Sequence, residues 1–460
     1  MYLTRRFECF EIAPNRYLMA NAITGEIAVI NESGRLLLNS LADRRMPACH
    51  DDLVEELRAK RLLFSSKEEE ESFFGQICNR AWMDFKQNAP RHYMFIVNSH
   101  CNFNCLYCFE RPEYRSSVTS LSRQHIDAAF RVIDAYSARK NKPQPPDIEV
   151  FGGEPLLPRS RPEVEYLIST AAKRGILSSV QTNGYYLSSF VDFLAKHSSF
   201  VRQIQVTLDG PQPIHDQRRA PRNGHSFDRI VRAIEELRSR ALPIRISIRM
   251  NVDTDNVQYL PAMLDYYRQR GWDTDDKIRF VAAPVDNRCG SLTGNAKLLG
   301  WKRLFEYVLP LSSDRSTGLY DLSIFKAVNY FREYFASIAQ QRGDKPEFVP
   351  KVLYCEAAAS KLMAFHPDGR IYPCPEAIGM QHLAIGTYFP EFRLDRKKAR
   401  PWRQQTIMNR PQCAACNIST FCGGGCILTA LMRNGDMSIP DCEEAPEVLK
   451  TYFAQAQPGT

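Results

Sequence analysis

Short strand-like runs recur six times between residues 92 and 285, and apolar repeats of helical period lie between them. The runs His92–Asn98, Asp147–Phe151, Ser178–Thr182, Val201–Leu208, Ile244–Val252 and Lys277–Val285 predict strands. Ser122–Lys140, Phe227–Arg240 and Asn256–Arg270 predict helices. Six strand–helix steps predict an α/β domain with a parallel sheet, either open and doubly wound or a partial barrel. Both designs place functional residues where strands give way to loops.

The pattern changes on either side. Residues 1–90 read as a small unit of its own: strands at Phe7–Glu11, Arg16–Ala20 and Glu26–Ile30, then helices from Asn31 and over Asp51–Leu62. A return strand near Leu62–Phe64 follows, and Ser66 with Glu69 fits a capping box before a last helix. That order is winged-helix-like. Residues 91–290 are the α/β domain, 291–354 an aromatic-rich helical bridge, and 355–460 an irregular segment rich in cysteine and glycine. Weak periodicity there is expected where metal, rather than a large apolar core, organises the chain.

Composition narrows the class. Of the 460 residues 44% are hydrophobic and 24% charged, as in ordinary globular proteins. A net charge of +8 without a long basic run gives no reason to expect a nucleic-acid partner. No apolar stretch is long enough for a membrane span, and no apolar core follows the N-terminal residues. A cytoplasmic location is expected. Fourteen cysteines are many for a reducing compartment, where clustered thiols bind metal or do chemistry. Cys9, Cys49, Cys78 and Cys289 stand alone and read as small buried hydrophobes. The other ten fall into two groups.

The first group is Cys101, Cys105 and Cys108, directly after the first strand. Three thiolates so close suit three corners of an iron–sulfur cubane and leave one iron open; zinc would want a fourth ligand nearby. The C-x3-C-x2-C spacing, with aromatic Tyr107 before the last cysteine, resembles the radical S-adenosylmethionine (SAM) superfamily. The resemblance implies a partial (β/α)6 barrel, one SAM-binding [4Fe–4S] cluster, and reductive cleavage of SAM to a 5′-deoxyadenosyl radical that takes a hydrogen atom from substrate. Gly152, Gly153 and Glu154 end the second strand; the glycines permit close approach of a ligand, and Glu154 suits an ammonium group. In the family this is the SAM amino-group site. Asn183 ends the third strand, Thr207 in Thr-Leu-Asp-Gly-Pro ends the fourth as a ribose contact, and Arg249 in the fifth suits the SAM carboxylate or is a solvated strand-edge charge. His215, Asp216, Arg219 and Gly224–Phe227 fit the same resemblance.

The second group, Cys355, Cys374, Cys413, Cys416, Cys422, Cys426 and Cys442, resembles the SPASM extension of radical SAM enzymes, with a pair of zinc ribbons as the rival. The resemblance implies two auxiliary [4Fe–4S] clusters, one on Cys413, Cys416, Cys422 and Cys442, the other on Cys355, Cys374 and Cys426. The position where some relatives carry that second cluster's fourth cysteine holds Val349, and Cys289 is distant. Such enzymes modify peptides or proteins and draw electrons from a flavodoxin or ferredoxin. The N-terminal segment resembles the peptide recognition element of ribosomal-peptide maturases, which captures a leader peptide as an added strand. The expected substrate is therefore a ribosomally made precursor with a leader, given a thioether or carbon–carbon cross-link. An anaerobic sulfatase maturase forming formylglycine is the alternative, although Pro375 and Glu376 follow Cys374 where that family places an aspartate.

Overall fold

The computed structural model describes residues 1–42, 51–110, 120–138, 146–221, 224–287, 297–312, 320–339 and 346–455. Cys49 and Cys289, and the end of the helix expected to reach Lys140, lie outside them.

Strands are numbered in chain order. The N-terminal segment contributes β1 (Tyr2–Leu3), β2 (Phe7–Ala13), β3 (Arg16–Asn21), β4 (Ile27–Asn31) and β5 (Leu63–Phe64). Strands β2, β3 and β4 form an antiparallel sheet in that order, while β5 pairs with β1. The Asn31 carboxamide accepts from Gly34 N at 2.9 Å and starts the helix Glu32–Ala42. Ser66 caps Lys67–Asn88, but Glu69 reaches back to Ser65 N rather than to Ser66. Alternation along β3 serves two cores. Leu18 and Ala20 join the main core, and Met19 packs with Leu38, Leu41 and Leu57.

The six central strands are β6 (His92–Ile96), β7 (Asp147–Phe151), β8 (Leu177–Gln181), β9 (Val201–Thr207), β10 (Arg245–Val252) and β11 (Ile278–Pro284). Each lies parallel to its sequence neighbours, in the order β11-β10-β9-β8-β7-β6. An unreversed order is that of a partial barrel; a doubly wound sheet reverses direction part-way. Ile148, Val150, Val180, Ile204, Val206, Ile246 and Ile248 are buried on one face. The alternating positions Glu149, Gln181, Gln205 and Arg249 carry polar side chains on the other.

The cysteine-rich segment is more regular than its pattern suggests. Strands β12 (Leu362–Phe365), β13 (Arg370–Tyr372), β14 (Gly386–Thr387) and β15 (Arg393–Leu394) extend the same sheet, with β12 parallel to β6. Phe365, Ile371, Tyr372, Tyr388 and Trp402 are buried in the main core, so an apolar core as well as the cysteines organises this segment. Among the described residues, no helix is long and apolar enough to cross a membrane.

Candidate functional site

The loop from Cys101 to Cys108 leaves the carboxyl end of β6. The Asn98 side chain fixes its start by donating to Glu154 O and Ser160 Oγ and accepting from His100 N. Phe103 N points at Cys101 Sγ at 3.4 Å, and Asn183 Nδ2 lies 3.8 Å from the same sulfur. Burial pushes the Cys101 thiol up to about 12; the charges of Glu154 and Cys105 add to it, while the Phe103 amide opposes it. Cys108 N donates to Cys105 O at 3.2 Å. Asn102 Nδ2 is buried without a hydrogen-bond partner. Three thiols on one short loop, with two amide donors turned toward the Cys101 sulfur, fit an iron–sulfur cluster, whose thiolates such donors stabilise. Among the described residues, no three His, Cys, Asp or Glu side chains gather tightly enough for a single metal ion. A cubane carries each thiolate on a separate iron, so its ligands stand further apart.

Gly152 and Gly153 serve a different neighbour from the one expected. A Cβ on Gly152 would lie 2.5 Å from Asn98 O, and one on Gly153 would lie 2.3 Å from His100 O. The close approach is to the backbone leading into the cysteine loop, sealed by Gly153 N to Asn98 O and Glu154 N to His100 O. Gly152 also sits at φ 132°, where side-chain-bearing residues are strained. The glycines therefore bind the loop after β7 to the loop after β6. Glu154 is 1% exposed and accepts from Thr182 Oγ1 at 2.6 Å, Asn183 N at 2.6 Å and Leu156 N at 2.8 Å. Burial raises its carboxyl above the usual range, and these hydrogen bonds oppose the rise. Asn183 also donates to Asn102 Oδ1 at 2.8 Å, linking the end of β8 to the cysteine loop.

Tyr107 turns its hydroxyl onto Asp209, accepts from Arg219, and accepts from Asn251 Nδ2 at 3.2 Å. Asp209 is fully buried, accepts from Asn251 N at 2.8 Å and pairs with Arg219 at 3.7 Å. It is the hub that joins the cysteine loop to the ends of β9 and β10. Sequence reasoning missed this hub, although Thr-Leu-Asp-Gly-Pro was its signal. His215 and Asp216 pin the surrounding turn: His215 Nδ1 accepts from Asp209 N, and Asp216 accepts from Ser226 N and Phe227 N. Thr207 stands beside Arg249 in the β9–β10 register. Arg249 is half-buried in an interior strand, not at a solvated edge, and donates from Nε to Asn251 Oδ1 at 2.8 Å.

The seven C-terminal cysteines divide by their electrostatic neighbours. Burial pushes Cys422 to about 12, and the charges of Cys416, Cys413 and Cys442 raise it further. Cys413 stands at about 11 through burial, with Cys442 and Cys416 adding to it. Cys374 is raised by burial and by the charges of Glu376, Cys426 and Cys355. Cys355, at about 11, is raised by burial and by Cys426. Cys413, Cys416, Cys422 and Cys442 thus feel one another's charge, as do Cys355, Cys374 and Cys426. Of the lone cysteines, Cys78 is fully buried and Cys9 packs in the small N-terminal cluster.

Residues 95–267 match the Radical SAM superfamily. This stretch is a radical SAM domain. Its strand ends carry the cysteine triad and the Gly-Gly-Glu turn, and the match supports SAM binding and iron–sulfur chemistry there. A probable GTP 3′,8-cyclase of Pyrobaculum aerophilum is 23% identical over 170 residues, covering 36% of this chain and 51% of its own. The chain thus spans about half the length of that relative. An uncharacterized protein of Archaeoglobus fulgidus is 23% identical over 362 residues, covering 75% of this chain and 76% of its own. Among solved structures, anSMEcpe with bound AdoMet and the Cp18Cys peptide superposes with TM-score 0.57 at 16% identity, covering 79% of this chain and 97% of its own. Streptococcus suis SuiB bound to the precursor peptide SuiA superposes with TM-score 0.56 at 16% identity, covering 96% of this chain and 99% of its own. Both share the fold of the radical SAM domain and most of what surrounds it.

Proposed function

We propose that this chain modifies a ribosomally made precursor peptide by radical chemistry, forming a thioether or carbon–carbon cross-link. The observation that carries the peptide reading is the extent of shared fold. SuiB, solved with a precursor peptide, covers 96% of this chain, against 79% for anSMEcpe; the difference is comparable in size to residues 1–90. When bound, a [4Fe–4S] cluster on Cys101, Cys105 and Cys108 supplies the electron that releases a hydrogen-abstracting 5′-deoxyadenosyl radical from SAM. This chain's residues position and shield that chemistry. The Phe103 and Asn183 amides face Cys101. Asp209 holds Tyr107 and with it the cysteine loop. Glu154, already ringed by neutral donors, has carboxylate charge to offer the SAM ammonium. Thr207 and Arg249, adjacent on β9 and β10, would take the ribose and the SAM carboxylate. Cys413, Cys416, Cys422 and Cys442 would hold one auxiliary cluster, and Cys355, Cys374 and Cys426 three irons of another, with electrons from a flavodoxin or ferredoxin.

The test is anaerobic. Reconstituted protein with SAM and a reductant should release 5′-deoxyadenosine, and replacing Cys101, Cys105 and Cys108 together with Ala should stop it. Co-expression with a short peptide encoded beside it should change that peptide's mass by loss of hydrogen. SAM cleavage with no mass change in any neighbouring peptide would reject the precursor reading.

A further inference from the structure

Arg410 is among the largest fully buried side chains of the protein, 1% exposed. A buried guanidinium calls for a negative partner, because taking an unpaired charge out of water is strongly unfavourable. None of the ion pairs among the described residues includes Arg410. Its fork is spent on neutral acceptors: Nε donates to Gln405 Oε1 at 3.0 Å, Nη1 to Gly424 O, and Nη2 to Met437 O at 2.8 Å.

What lies around the guanidinium is sulfur. A Cβ built on Gly424 would sit 3.2 Å from Arg410 Nη1 and 3.4 Å from Cys413 Sγ, so the two groups share one small space. The charges it feels most, after burial itself, are those of Cys413, Cys426, Cys355 and Cys422. Two of these belong to the group Cys413, Cys416, Cys422 and Cys442, and two to the group Cys355, Cys374 and Cys426. The geometry agrees: Arg410 Nη1 holds the carbonyl of Gly424, which lies two residues from Cys422 of one set and two from Cys426 of the other. Lys326 and Lys351 face Cys355, and Lys351 also faces Cys422; of the two, Lys326 is turned to Tyr354 O at 2.9 Å. Asp436 feels Arg410 from the exposed side.

Three left-handed glycines hold this arrangement. Gly423, Gly424 and Gly425 have φ of 79°, 93° and 76°, and added Cβ atoms would strike Leu353 O at 2.5 Å and Asp441 O at 1.5 Å from the first and last. Only glycine accepts both the backbone and the crowding, so the carbonyl of Gly424 is fixed on the guanidinium.

We propose that Arg410 is the counter-ion shared by the two C-terminal cysteine groups, a positioning residue that gathers their thiolates and raises the reduction potential of the clusters they hold. The proposal rests on the reading of those groups as cluster ligands. Thiolates ligated to iron supply the negative charge the buried guanidinium lacks, and a cation beside a cluster stabilises the electron it gains.

The experiment compares wild type, Arg410→Met and Arg410→Lys, each as apo-protein and after anaerobic reconstitution. Iron and sulfide content, thermal melting, and potentials from electron paramagnetic resonance during redox titration are read. Met is close in length and neutral. It should lower the midpoint of the auxiliary signals by the equivalent of a tenfold loss in electron uptake, about 59 mV for one electron. The signal of the Cys101, Cys105 and Cys108 cluster should stay where it is. Lys should restore most of the midpoint, because it keeps the charge. Met should also cost the reconstituted protein more melting temperature than the apo-protein, since only ligated thiolates need the charge. Equal losses in both forms with unchanged midpoints would make Arg410 a hydrogen-bonding strut and overturn the proposal. Wild-type iron no greater than one cluster would instead overturn the reading beneath it.

Discussion

Glu154 shows how one residue joins fold to chemistry. Its carboxylate has three donors, two from backbone, and no cation at ion-pair distance among the described residues. A hydrogen bond to a charged group contributes about 1.5–3 kcal/mol, so an ammonium brought to Glu154 gains that much over a neutral amide. Glu154→Gln should therefore weaken SAM binding about tenfold or more while iron content stays at the wild-type value. Equilibrium binding to the reconstituted protein, with iron assayed alongside, decides it; unchanged affinity would remove Glu154 from the SAM site. The place of Glu154 at a strand end was legible in the sequence. The role of the preceding glycines was not, because their crowding partners, Asn98 and His100, lie about fifty residues earlier in the chain. Asp209 was hidden for a similar reason. A buried aspartate reads as a turn residue until Tyr107, Arg219 and Asn251 are seen to converge on it.

Among elements, the six barrel strands were readable as short apolar or alternating runs of five to eight residues separated by helical patterns. Strands β12 to β15 were not. They run two to four residues, and the pairing of β12 to β6, which joins them to the sheet, is between residues far apart in sequence. The turn between β12 and β13 carries its own electrostatics. Asp368 Oδ1 lies 3.0 Å from His366 Nδ1 and accepts from Arg370 N at 2.8 Å, while Tyr372 donates to Oδ2 at 3.1 Å. Burial would raise this carboxyl, but His366 and Arg370 outweigh it and hold it at about 2. A depressed folded pKa means the stabilisation is present above the unfolded value of 3.8 and is lost as pH falls toward 2. The difference amounts to about 2 kcal/mol. Asp368→Asn should lower the melting temperature of the apo-protein at pH 7, and the gap to wild type should close between about pH 4 and pH 2. A gap independent of pH would assign the loss to packing. The glycine run makes a sharper case. An Ala at Gly425 meets Asp441 O at 1.5 Å, so residues 441–442 must move and take Cys442 with them. Gly425→Ala should lose iron from the C-terminal cysteines and keep SAM cleavage. Gly75, within Lys67–Asn88 with nothing within 4 Å, is the matched control: Ala there should add up to about 1 kcal/mol of stability.

At the scale of the whole molecule, the N-terminal residues are stitched to the C-terminal ones. The rings of Phe10 and Phe453 pack tilted with centroids 4.5 Å apart, Thr420 Oγ1 donates to Ala22 O at 2.8 Å, Arg6 Nη1 to Ala414 O at 2.6 Å, and Tyr330 OH to Gly25 O at 2.7 Å. Deleting residues 1–90 would strip the main core of Phe10, Leu18, Ala20 and Ile23 and leave Phe453 uncovered, which confounds loss of a docking strand with loss of fold. A test of leader capture must instead alter one edge. Strand β2 packs against the helix Ala445–Gln455, which carries Phe453, whereas β4 pairs among the described residues only with β3, and Val29 on it is 51% exposed. An edge strand offers unpaired N–H and C=O groups to an extended peptide, and alternate residues point their N–H outward. Of Ala28→Pro and Val29→Pro, one removes an inward ladder donor and the other an outward one, and proline is tolerated at an edge only in the second case. The better-folded variant should keep uncoupled SAM cleavage near the wild-type rate. It should bind an isolated leader peptide at least tenfold more weakly, and modify full precursor slowly only when precursor is dilute, since leader capture acts by raising local concentration. Calorimetric titration with leader peptide and a rate series in precursor concentration measure both. If the better-folded variant binds leader and processes dilute precursor as wild type does, the edge of β4 is not where the peptide enters.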